Sequence, residues 1–193
     1  MKSKKKVLVT VLCAVMLVVG SVLGTMAYLT SKTATANNTF TVGNVAITLD
    51  ETAVDDNGVA LQGEDRRTAN TYKLMPGHKY VKDPTIHVSA TSENCWLFVK
   101  VENGISAIED DTTIAAQMAA KGWTPVTGQT NVYAYSSVVA KGNDIVVFDN
   151  FKIKGDAVTS EYANASIKVT GYAVQADGFT TAAAAWAAAP TTW

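Results

Sequence analysis

Cys95-Trp96-Leu97-Phe98-Val99-Lys100-Val101 places apolar side chains on both faces of any strand it forms, with Leu97, Val99 and Val101 alternating against Trp96 and Phe98. A strand that faces water on one side reads apolar at every second position only, so this one belongs at the centre of a sheet covered on both sides, as in a β-sandwich. Upstream, Ile86, Val88 and Ala90 alternate with His87 and Ser89, the pattern of a half-buried strand. Residues 132–139, 145–153 and 167–174 read as further strands, and Gly142-Asn143 and Gly155-Asp156 supply turns between them. Towards the N-terminus Phe40, Val42, Val45, Ile47 and Leu49 alternate as well, but their phase slips by one residue across Gly43-Asn44, which a β-bulge at Gly43 would produce. Asp55-Asp56-Asn57-Gly58 and Met75-Pro76-Gly77 are turn signals, and the polar stretch 55–71, with Gly63, Arg66 and Arg67, reads as a long loop or excursion at one end of a sheet.

Two short helices interrupt the β pattern. In the first, Ile114 and Met118 fall on one face, Asp110 or Asp111 is the expected cap, and Lys121-Gly122 ends it. The second spans 181–189, with Thr180 as cap and Pro190 as stop. Its alanine run is too short to persist alone. It must dock on the sheet through Phe179 and Trp186, which share a face. The fold expected is therefore all-β: an antiparallel, jelly-roll-like β-sandwich over residues 40–193 with two short helices.

The first residues have a different character. Lys2, Lys4, Lys5 and Lys6 precede an uncharged apolar run over 7–19, and Thr25-Met26-Ala27 presents small residues where a signal peptidase reads them, so cleavage is expected between Ala27 and Tyr28. The apolar stretch is also long enough to serve as an anchor if left uncut. Cys13 lies inside that run behind Leu12, which does not fit a lipoprotein signal, and it reads as an apolar filler. Removing 1–27 takes four of the 16 Lys and Arg and none of the 17 Asp and Glu, leaving 12 cations against 17 anions. A mildly acidic mature chain disfavours nucleic acid as a partner and suits an extracellular protein. Cys95 is then the sole cysteine, so no intrachain disulfide is available and the bland reading is a small core side chain.

Catalytic chemistry is thinly represented. His78 and His87 are the only histidines, and no metalloprotease, nucleophile-elbow or phosphate-loop motif occurs. His87 falls on the polar face of its strand and His78 in a turn, so neither reads as a metal ligand. Asp55-Asp56-Asn57-Gly58 lacks the remaining oxygens of a calcium loop, and Glu109-Asp110-Asp111 sits where a helix N-terminus favours carboxylates. No catalytic residue, metal set or cofactor is read from the sequence.

Several stretches in order carry a resemblance. Gly24-Thr25-Met26-Ala27-Tyr28-Leu29-Thr30, followed by Asn38-Thr39-Phe40-Thr41-Val42-Gly43-Asn44-Val45, is similar to proteins cut by the dedicated signal peptidase SipW, the TasA and camelysin (CalY) group of Gram-positive biofilm matrix proteins. Further matches are Met75-Pro76-Gly77, Lys82-Asp83-Pro84-Thr85-Ile86, 95–103, 172–179 and Ala185-Trp186. The resemblance implies a secreted jelly-roll subunit, found in the extracellular matrix or at the cell surface, whose partners are identical subunits, a SipW-type peptidase and, in some systems, an accessory assembly protein. It touches the membrane only through an uncut signal peptide. In such fibres the segment after the cleavage site serves as a donor strand for the neighbouring subunit. Here that is the extension 28–39 and the strand that follows, with Tyr28, Leu29, Thr30, Thr33, Thr35, Phe40 and Val42 as assembly residues. The residues agree on one point: 28–38 is polar, Thr-rich and free of glycine, too weakly apolar for a core strand of its own monomer. The metallopeptidase activity ascribed to camelysin has no zinc-ligand set here to carry it. A monomeric adhesin or carbohydrate-binding sandwich is the other alternative, for which Trp123, Tyr133 and Tyr135 are the available aromatics, at least part of them expected in the core.

Overall fold

A computed structural model describes residues 44–189. The double-faced stretch forms β4 (Cys95–Asn103), the longest strand together with β9 (Ile167–Gln175), and the two pair antiparallel along their whole length. β6 (Val132–Tyr135) lies on the other side of β4, and β5 (Trp123–Pro125) beyond it, giving a four-stranded sheet of order β5-β6-β4-β9. β4 is covered on both faces, as its composition requires. Leu97, Val99 and Val101 point into the main core. Trp96 and Phe98 point the opposite way, into a smaller cluster. The cover on that second face is the C-terminal helix rather than another sheet.

The three-stranded sheet has the order β1-β3-β7, from β1 (Ile47–Asp50), β3 (Thr85–Val88) and β7 (Asp144–Val146), all antiparallel. It shares the main core with β4 through Ile86 and Val88, and a two-stranded ribbon of β2 (Lys79–Val81) and β8 (Asn150–Lys152) closes one end, where Tyr80 stacks on Phe151 at 4.8 Å. The expected alternation at the start holds for the described part, since Val45, Ile47 and Leu49 pack on the core while Thr48 is exposed. The proposed bulge at Gly43 and the positions Phe40 and Val42 lie outside the described residues.

The stretch 145–153, read as one strand, is two. β7 belongs to the three-stranded sheet and β8 to the ribbon, and between them Val147 and Phe148 are both fully buried. A straight strand with one wet face cannot bury neighbours in sequence, so the chain bends instead and changes sheets. Val147 donates its amide to the Pro84 carbonyl at 2.8 Å, and Asp149 accepts from Lys82 at 3.2 Å, which ties the crossing to the segment between β2 and β3.

The helices are α1 (Ile114–Ala120) and α2 (Ala182–Ala188). Ile114 and Met118 enter the main core as their spacing implies. The caps differ from expectation. Thr113, rather than Asp110 or Asp111, accepts from Ala116 N at 3.1 Å, while the buried Glu109 carboxylate accepts from Ile114 N at 3.0 Å. A hydroxyl one residue before the first turn reaches the third amide directly, whereas Asp110 is drawn away to Lys152 at 2.5 Å. In α2 the cap is Thr181, one residue later than Thr180, accepting from Ala184 N at 3.2 Å. The molecule over these residues is all-β with two short helices.

Candidate functional site

The residues expected to act in processing and assembly, Ala27, Tyr28, Leu29, Thr30, Thr33, Thr35, Phe40 and Val42, lie outside the described residues. What the fold offers a partner strand is described. Cys95 and Val101 direct their backbone groups to the β6 side, where Cys95 exchanges amides with Val139 and Val101 donates to Asn131. By strand alternation Trp96, Phe98, Lys100 and Glu102 serve β9 through Val174, Tyr172, Thr170 and Lys168. The backbone groups of Ile167, Val169, Gly171, Ala173 and Gln175 therefore face away from β4, and among the described residues no strand pairs with them. β1 borders this edge. It bonds β3 through Ala46, Thr48 and Asp50, so Ile47 and Leu49 direct their backbone outward too. The two sheets adjoin here at Gly171, where a Cβ would lie 3.4 Å from Ile47 Cδ1 and 3.5 Å from Ile86 Cδ1. Ile167, Val169 and Ala173 pack on the core yet are only half-buried.

Phe179 and Trp186 do dock the C-terminal helix. The Trp186 ring lies 5.0 Å from Phe98 and 6.3 Å from Tyr172, and Trp96 Nε1 donates to the Phe179 carbonyl at 3.3 Å. Between them Ala185 is fully buried in the same cluster as Trp96 and Phe98, a small residue on the face that the helix turns to the sheet.

Three polar arrangements stand out. On the outer face of the three-stranded sheet His87 bridges both neighbours, its Nε2 2.9 Å from Asp50 and its Nδ1 2.7 Å from Asp144. Burial opposes the charged ring, but the two carboxylates prevail and raise its pKa above the ordinary value. Arg66, at the far end of the polar excursion, reaches Asp50 at 2.5 Å, Asp83 at 2.9 Å, Thr52 at 3.0 Å and Thr85 at 2.9 Å. Burial works against charge on Asp50 and Asp83, yet these partners hold both carboxyls below the usual range. The third arrangement is buried: Glu51 accepts from Lys82 and from Asn70 beside a cavity of about 560 Å3 lined by Tyr72, Phe151 and Tyr162. None of the three was legible in the sequence, because their members are dispersed polar residues without periodic spacing.

His78 sits in its turn, 2.8 Å from the Asn57 carbonyl and edge-on to Tyr80. Asp55-Asp56-Asn57-Gly58 is a turn closed on itself, with the Asp55 carboxylate accepting from Asn57 and Val59 at 2.9 Å. Among the described residues no group of three His, Cys, Asp or Glu is placed to hold a metal ion. Cys95 is buried, and burial pushes its thiol up to about 11. Trp123 is fully buried, and Tyr133 and Tyr135 pack on the main core. The chain matches no family model, no curated protein and no solved structure.

Proposed function

We propose that this chain is a secreted, non-enzymatic subunit that assembles with identical copies into extracellular matrix fibres by head-to-tail strand addition. The observation that carries the reading is the outer edge of β9, nine residues long and lying beside the outward backbone groups of β1. Long regular edges are normally blunted by charge, proline or a covering element, because they template pairing with another chain. Here the core-facing side chains are Ile167, Val169 and Ala173 and no proline interrupts the strand. A partner strand on that edge gains main-chain hydrogen bonds and covers half-buried apolar side chains, the mode of β-strand addition. The donor is the extension 28–39 of a neighbouring copy. Such a contact joins two different surfaces, so it propagates as a filament rather than closing into a dimer.

We read the architecture as jelly-roll-like, because the chain passes repeatedly between two antiparallel sheets, β1, β3 and β7 in one and β4, β5, β6 and β9 in the other, with the β2-β8 ribbon in addition. Release from the membrane is by a SipW-type peptidase between Ala27 and Tyr28, so sequencing secreted protein is expected to return Tyr28 as the first residue. The assembly test compares two chains, one starting at Tyr28 and one at Phe40. The first is expected to form fibres visible by electron microscopy, and the second to fold and stay monomeric by light scattering. Equal polymerisation of both would remove 28–39 as the donor, and polymerisation of neither would favour the monomeric adhesin.

A further inference from the structure

The Glu51, Asn70 and Lys82 side chains bring together a nucleophile, an electrophile and a proton carrier. Glu51 is 4% exposed and Lys82 8%. Lys82 Nζ donates to Glu51 Oε2, and Asn70 Nδ2 donates to Glu51 Oε1 at 3.0 Å, so one carboxylate holds the amine and the carboxamide side by side through its two oxygens. The carboxamide is further fixed, with Nδ2 donating to the Thr52 carbonyl at 2.8 Å and Oδ1 accepting from the Val54 amide at 3.2 Å. That last bond polarises the carbonyl and lies where negative charge would gather if its carbon were attacked. The Tyr72 ring, 5.8 Å from Lys82 Nζ, walls the site, and burial followed by the negative Glu51 raises the pKa of its hydroxyl, which stays protonated. A plain ion pair requires neither the aligned carboxamide nor the polarising amide.

We propose that Lys82 and Asn70 become joined by an intramolecular isopeptide bond, with Glu51 as the catalytic base. Attack requires an uncharged amine, and the Lys82 proton passes to the carboxylate it already touches. Nζ then attacks Asn70 Cγ, and the electron pair of the carbonyl moves onto Oδ1, facing the Val54 amide. A second proton leaves Nζ and reaches Nδ2 by way of Glu51. The carbonyl re-forms, the Cγ–Nδ2 bond breaks, and ammonia departs through the adjoining cavity, taking the stored proton with it as ammonium. The balance is one ammonium and one carboxamide giving one amide and one free ammonium ion, with the Glu51 carboxylate regenerated and no oxidant or external reagent. The link ties the polar excursion that ends near Asn70 to the connection between β2 and β3. It stands independently of the assembly reading.

Mass spectrometry of the purified protein, with its N-terminus sequenced, tests the proposal. The intact mass is expected to fall one ammonia short of the sequence mass. Trypsin is expected to yield a branched species joining residues 68–73 to residues 80–100, because a modified Lys82 no longer directs cleavage. Asn57-Gly58 can lose ammonia by cyclising, so the branched species and not the mass alone decides. In Lys82→Arg, Asn70→Ala and Glu51→Gln the branched species is expected to vanish and the full mass to return, with folding checked by circular dichroism. Wild-type protein that gives separate peptides 68–73, 80–82 and 83–100 overturns the proposal whatever the variants do, and so does a branched species that persists in Lys82→Arg.

Discussion

Arg66 anchors a loop that its sequence context marks only as polar. Its guanidinium meets two carboxylates, two hydroxyls and the backbone carbonyls of Asp50 and Asp83, so it pins the excursion to the ends of β1 and β3. Lysine keeps the charge but not the planar fork. Arg66→Lys is therefore expected to lose about 1–2 kcal/mol in denaturant melts, reduced from the buried-pair range because the side chain is about one-third exposed; no measurable change would mean the fork is ornamental. His87 responds to pH. Neutral imidazole donates to one carboxylate only, whereas the charged ring donates to Asp50 and Asp144 together. Its folded pKa is raised, so its stabilisation is complete below the unfolded value of about 6.5 and is lost as pH rises through the folded value. Asp50 and Asp83, whose values are lowered, work in the opposite sense: their stabilisation holds above the unfolded value and disappears as pH falls through the folded one. Thermal melts are expected to weaken on going from about pH 6 into the alkaline range, with His87→Gln flattening that slope. Parallel slopes in the two proteins would show that the bridge contributes nothing.

The α2 helix shows how much of an element its sequence can disclose. Seven residues of alanine-rich helix have no independent stability, so docking was required, and the aromatic pair that does it was readable from spacing. The cap shifted by one residue because adjacent threonines offer equivalent hydroxyls and only the backbone path selects between them. β4, β9 and β3 were likewise legible, since each imposes a pattern of period two or an unbroken apolar run. The splitting of 145–153 was not, because a continuous apolar stretch looks the same whether it runs straight or turns from one sheet to the next. Strand edges escape the sequence for a related reason: which strand lies outermost is a property of topology, carried by no residue type. For α2 the consequence is measurable. Trp186→Ala is expected to cost about 2–3 kcal/mol, somewhat under the range for a fully buried tryptophan because the ring is half-buried. A loss below about 1 kcal/mol would make the helix peripheral to the stability of the sheet.

At the scale of the whole molecule the two long strands do different work, although they pair along their full length. β4 is internal and satisfied on both sides, while β9 gives one side to β4 and turns the other outward. This separation makes the edge testable without touching the donor. Proline lacks the amide hydrogen, so it is tolerated in a strand only where that amide serves no partner inside the sheet. Ala173 satisfies this condition, because the ladder to β4 runs through Tyr172 and Val174 on either side of it. Thr170 does not, since it faces Lys100 within the ladder. Ala173→Pro is accordingly expected to leave the monomer folded, with a circular dichroism spectrum and melt close to wild type, while abolishing fibres in a chain starting at Tyr28. Thr170→Pro is expected to destabilise the subunit itself. If Ala173→Pro folds and polymerises at the wild-type rate, the β9 edge is not the acceptor, and the donor strand must then pair along another edge such as that of β1 at Ile47 and Leu49.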